Sequence, residues 1–152
     1  LVAVAATTLQ AVNYNWTAVN TNNAATGQVT LENGLSHTKG FAVKLSINVS
    51  QVPDTITGDW WPALFSLSTS DHETANITAN MAGDNVIRLD TKKGNTESTQ
   101  IRVDTTSKLT IGTYTVVLAY DGKNMTLSLN GSVIASTEYT LTYDPNYVAW
   151  GQ

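Results

Sequence analysis

Phe41-Ala42-Val43-Lys44-Leu45-Ser46-Ile47-Asn48-Val49-Ser50 alternates apolar residues with polar or small ones without a break. This is the pattern of a strand with one face in a core and the other in water. Phe41, Val43, Leu45, Ile47 and Val49 are therefore assigned to the core face. Past the Asp59-Trp60-Trp61-Pro62 loop, which Pro53 and Pro62 bracket, Ala63 to Thr69 repeats the alternation through Ala63, Phe65 and Leu67. Further strands are predicted at 74–81, 85–92, 100–104, 114–120, 125–129 and 132–137, each closed off by Gly, Asn or Asp. The Asp121-Gly122 and Asn130-Gly131 turns join the last three as a meander, since both dipeptides favour tight hairpins. Short strands at such spacing predict an all-β, antiparallel sandwich or barrel. The Ala-rich first twelve residues are assigned to a further strand on tertiary grounds, and Asn20 to Gly27 to a loop.

The composition agrees and excludes several functions. Hydrophobic residues make up 41% of the 152 residues and charged ones 13%, with Thr, Asn, Ser and Val prominent, which suits strands and turns. That length fits a single domain. Eight Lys and Arg against twelve Asp and Glu leave a net charge of −4 and no basic stripe for a phosphate backbone, so nucleic acid is not an expected partner. No apolar run approaches the roughly 18 residues of a spanning helix, so membrane insertion is not expected, and Leu1 to Ala6 is too short for a signal peptide. There is no cysteine for a disulfide scaffold, thiol chemistry or a Cys-ligated zinc site. The start at Leu1 and the stop after a strand-like run predict a piece processed or excised from a longer protein. Sequons at Asn15, Asn48, Asn76, Asn124 and Asn130 are expected by chance in so Asn- and Thr-rich a chain.

Gly112 to Ser136, G-T-Y-T-V-V-L-A-Y-D-G-K-N-M-T-L-S-L-N-G-S-V-I-A-S, resembles the hairpin of the laminin-G-like and concanavalin A-like jelly-roll superfamily. There, a strand ending in an aromatic residue is followed by a short turn, a strand closing on Asn-Gly, and a short x-V-x-A strand. Together with Phe41 to Ser50 and Ala63-Leu64-Phe65-Ser66-Leu67-Ser68, the order of features from Gly40 to Gly151 is most similar to the sialic-acid-binding modules attached to bacterial sialidases. The resemblance implies a jelly-roll β-sandwich that binds glycan, at an extracellular or cell-surface location, without catalysis. The aspartate boxes and arginine motif of the sialidase propeller are absent. So is the strand that usually follows one like Tyr147 to Gly151, which leaves an open sheet edge expected at that point.

Both arginines of the chain lie in near-identical pentapeptides, Ile87-Arg88-Leu89-Asp90-Thr91 and Ile101-Arg102-Val103-Asp104-Thr105. If both are strands of one sheet, the apolar members face the core and Arg88, Asp90, Arg102 and Asp104 share the opposite face. Two guanidiniums on one face grip a carboxylate by bidentate hydrogen bonds, and sialic acid is the common sugar that offers one. The competing reading is that each Arg pairs with an Asp across the strands and has no functional meaning. On the binding reading, Glu97 or Asp71 accepts hydrogen bonds from sugar hydroxyls or amides, and one of Trp60, Trp61 and Tyr139 packs on the ring. The two tryptophans can equally plug the core under their loop. Asp71, His72 and Glu73, with Asp84 or Asn85, could take calcium or form a solvated loop, and no metal ligand set is assigned. Other than this calcium, no cofactor is expected.

No paired carboxylates of the E-x-D-x-x-E kind occur, and Glu32, Glu73, Glu97 and Glu138 are isolated. No nucleophile elbow, zinc-protease motif or P-loop is present. The sequence thus predicts a non-catalytic, carbohydrate-binding or lectin-like domain for sialic acid or another acidic glycan terminus. The alternative is an adhesive sandwich that adds a partner protein's strand at an open edge.

Overall fold

The computed structural model describes residues 27–49, 63–69, 75–81, 86–93 and 101–150. Among these the chain forms strands and no helix: β1 Gly27–Thr30, β2 Phe41–Val49, β3 Ala63–Ser68, β4 Ala75–Met81, β5 Val86–Lys93, β6 Ile101–Lys108, β7 Gly112–Tyr120, β8 Asn124–Leu129, β9 Ser132–Glu138 and β10 Tyr147–Trp150. One sheet runs β1-β10-β3-β4-β5-β6 and the other β2-β7-β8-β9. Every pairing among them is antiparallel.

Period-two alternation on both sheets makes this a sandwich. In the four-stranded sheet, Val43 faces Leu118, which faces Leu127, which faces Ala135, so one row of apolar side chains crosses all four strands. In the six-stranded sheet, Leu67, Ile77, Ala79, Ile87 and Leu89 supply the opposing face, and all are fully buried. The two faces form one cluster with Val116, Leu118, Met125 and Leu127. Direct cross-strand neighbours lie on the same face, so each row either enters the core whole or leaves it whole.

Most predicted strands are present, with β6 extended to Lys108 and β7 beginning at Gly112. Two expectations about the edges change. Gly27, assigned to a loop, opens β1, and β10 is an interior strand between β1 and β3 rather than an open edge. A four-residue strand with one strongly apolar side chain, Val29, carries little signal of its own; its pairing to β10 makes it a strand. The expected strand in the first twelve residues lies outside the described residues.

Long-range hydrogen bonds close the ends of the sandwich. Asn130 and Gly131 both have positive φ, 49° and 85°, as the Asn-Gly hairpin requires. The Leu141 N–H donates to Tyr120 Oη over 3.2 Å, folding the segment after β9 back so that Tyr139 and Leu141 join the core. Burial, with Tyr120 nearby, raises the Tyr139 hydroxyl above its ordinary pKa. At the opposite turn, Gly40 has φ +80° and a Cβ there would sit 2.5 Å from the Tyr120 carbonyl oxygen, so only glycine fits. The loop after β1 is clasped to the segment before β10. Asp144 Oδ1 accepts from the His37 backbone N–H at 2.8 Å and meets His37 Nδ1 at 2.6 Å, while the Leu35 N–H donates to the Pro145 carbonyl at 2.7 Å. These bonds from His37 hold the Asp144 carboxyl below the usual carboxylate range.

Leu118 sits at the centre of the packed rows with no exposure. Leu118→Ala is expected to destabilise the domain by about 3–5 kcal/mol, read as a lower urea midpoint at unchanged slope.

Candidate functional site

The outer face of the six-stranded sheet is polar by register. Backbone register aligns positions 28, 149, 66, 78, 90 and 102 across all six strands, with Ser66, Asp90 and Arg102 in that row, and in the row beside it Arg88 faces Asp104. The face follows from the core side: Leu89 opposite Val103 points inward, so Arg88 and Asp90 on β5 and Arg102 and Asp104 on β6 point outward.

The four charges form two ion pairs between directly opposed residues. Arg88 Nε donates to Asp104 Oδ1, and Arg102 Nη2 donates to Asp90 Oδ2 at 3.3 Å. Each pair joins a buried member on β5 to an exposed one on β6. The side chains of Arg88 and Asp90 are 10% and 8% exposed, those of Arg102 and Asp104 46% and 64%. Ser66, Ser68 and Tyr147, on the same face, are buried as well, although Tyr147 lies outside the central core cluster. The six-stranded sheet is therefore covered on both faces over β10, β3 and β5, and its charged outer face meets solvent at β6.

This geometry sorts the residues expected to bind ligand. Arg88 and Arg102 share one face, as the repeated pentapeptides predict, but they sit at diagonally opposite corners of an Arg–Asp square, and a carboxylate approaching from solvent meets Arg102 first. Tyr139 is 7% exposed within the core cluster, so its ring packs on protein. Trp60, Trp61, Asp71 and Glu97 lie outside the described residues, as do His72, Glu73, Asp84 and Asn85 of the candidate calcium loop. Among the described residues, no group of three His, Asp or Glu is placed to hold a metal ion.

The alternation of Ser66 and Ser68 about Leu67 marks both serines as facing away from the core, so the sequence carries the signal that adds them to this face. Tyr147 has no such signal beyond its place in a strand. At Arg102 and Asp104 the square offers a guanidinium fork and a carboxylate two residues apart on one strand, donors and an acceptor that can hydrogen-bond the hydroxyls of a ligand.

No family model matches the chain, and no curated protein sequence does. Solved structures are similar to it. Domains LG4-5 of the mouse laminin α1 chain match with a TM-score of 0.57 at 12% identity, covering 91% of this chain and 38% of that one. A family 16 endo-glucanase from Bacteroides ovatus matches at 0.51 and 16% identity over 74% of this chain and 58% of its own. The carbohydrate-binding module CBM40 of a Ruminococcus gnavus IT-sialidase matches at 0.50 and 16% identity over 75% and 64%. The chain thus spans between 38% and 64% of the length of these chains. At such identities the likeness establishes the fold, a concanavalin A-like jelly roll, and the site must speak for function.

Because its partner Arg88 is buried, Asp104 is expected to matter more than an ordinary surface carboxylate. Asp104→Ala should cost about 1–3 kcal/mol, whereas Glu138→Ala, which breaks the exposed 2.9 Å pair with Lys123, should cost no more than about 0.5 kcal/mol. Urea midpoints of the two variants make the comparison.

Proposed function

We propose that the domain is a non-catalytic glycan-binding module, extracellular or on a cell surface, that contacts its ligand at the β6 side of the six-stranded sheet's outer face. The observation that carries this reading is the exposed Arg102–Asp104 half of the Arg–Asp square, backed by a buried half that fixes it in place. A guanidinium held by its own carboxylate partner is pre-oriented, which lowers the entropy cost of binding. Arg102 is the residue to hold the carboxylate of sialic acid or of another acidic terminus, in competition with Asp90, and Asp104 is the acceptor for a neighbouring hydroxyl. The sialidase-linked carbohydrate-binding module supports the reading as a carbohydrate-binding domain of similar fold. Single sites of this size bind weakly and gain from multivalency.

A glycan array carrying sialylated, uronic-acid and neutral ligands, run with calcium and again with a chelator, tests the proposal. Binding to acidic glycans that falls at least about tenfold in Arg102→Ala is expected, which corresponds to the loss of one charge-assisted contact. A blank array, or binding untouched by Arg102→Ala, would overturn it in favour of an adhesive sandwich.

A further inference from the structure

The pentapeptide on β5 and its copy on β6 pair with each other in a register that places Ile101 against Thr91, Arg102 against Asp90, Val103 against Leu89 and Asp104 against Arg88. The motif Ile-Arg-x-Asp-Thr is self-complementary when antiparallel: Arg meets Asp on either side of a central apolar pair. Strand β6 therefore carries on its outer edge the same code that it reads on its inner one. Among the described residues β6 pairs with β5 alone and ends the six-stranded sheet. Its Arg102 and Asp104 side chains are substantially exposed, and Ile101 is exposed too.

We infer that β6 is a homodimer interface, with two copies of the chain pairing antiparallel through Ile101–Thr105 about a two-fold axis at Val103. Such pairing is isologous, as a closed dimer requires. It sets Arg102 of each copy against Asp104 of the other and extends both ladders. One row then reads Arg88, Asp104, Arg102 and Asp90 across the four strands, alternating in sign throughout, with no like charges opposed. A slip of two residues would oppose Arg102 to itself or Asp104 to itself, and a slip of one would set the apolar face of one copy beside the charged face of the other. The register shift between Val86 and Arg88 limits the strand that can be added, because the irregularity begins at Thr105, where the proposed pairing ends: Thr105 Oγ1 donates to the Ile87 carbonyl at 2.7 Å and the Ser107 N–H donates to Thr105 Oγ1 at 3.1 Å. Irregularities of this kind keep an edge from growing indefinitely. A five-residue pairing is a small interface, so the dimer is a weak one that forms between about 10 µM and about 1 mM. The interface engages Arg102 and Asp104, the residues that the proposed glycan contact also uses, so dimer and ligand compete for them; its test is run without ligand and reads mass, so either reading can fail without the other.

Sedimentation equilibrium of the full chain across that range is expected to show a monomer–dimer equilibrium that weakens with salt. Arg102→Asp and Asp104→Arg should each be monomeric, since their homodimers oppose like charges. Mixed at equal concentration they should form a one-to-one heterodimer, since each restores the other's complement. A wild type that stays monomeric at about 1 mM overturns the interface, as does a dimer that either single variant leaves intact or a mixture that fails to associate. Should either variant lose its thermal unfolding transition, Val103→Cys decides. The chain has no other cysteine, so paired Val103 positions lie within disulfide reach and oxidation should give a covalent dimer. Failure to cross-link would refute the pairing.

Discussion

The register of β5 against β6, with Leu89 opposite Val103, is the constraint on which both the core edge and the charged face depend. A slip of one residue would drive Arg88 or Asp90 into the apolar interior and turn Leu89 outward. Burial of an unpaired charge costs far more than the few tenths to about 1 kcal/mol that an exposed pair contributes, so the hydrophobic pattern decides the register and the ion pairs refine it. Once it is set, all four charges fall on the outer face, where the members on β5 are covered and those on β6 are exposed. The same alternation that builds the sandwich therefore decides which face carries the charges.

Strong alternation makes much of this legible in the sequence. Phe41–Val49 reads as a strand because nine residues alternate without error, and the Arg–Asp square follows from two matching pentapeptides whatever the loop between them. Other features have no local signal, for physical reasons. Period two assigns Arg88 to the outer face but does not say that the outer face is covered there. Tyr139 follows a surface strand, which suggests an available ring; the Leu141 bond to Tyr120 that turns it inward spans residues far apart in sequence. The clasp between His37 and Asp144 joins residues 107 apart and leaves no local trace. The short β1 exists only through its partner, β10, and without β1 the latter reads as an edge.

The fold alone does not assign a function, since laminin domains, an endo-glucanase and a sialidase-linked module all share it. The distinction rests on chemistry at the face. A pair of opposed Arg–Asp contacts is close to neutral, so it does not attract acidic glycans from a distance; it selects by short-range geometry, and a ligand carboxylate must replace a contact already made to Arg102. A dimer through β6 would engage Arg102 and Asp104 across its interface, so glycan binding at this face and self-association would oppose each other.

The location of the glycan contact is most directly tested by amide and arginine Nε chemical-shift mapping on the isotope-labelled domain titrated with a sialylated trisaccharide. The account predicts saturable shifts concentrated on the outer-face residues of β5 and β6, with the Arg102 Nε resonance moving most. Shifts confined to the loop at 31–40, to the four-stranded sheet, or absent at saturating ligand would contradict it.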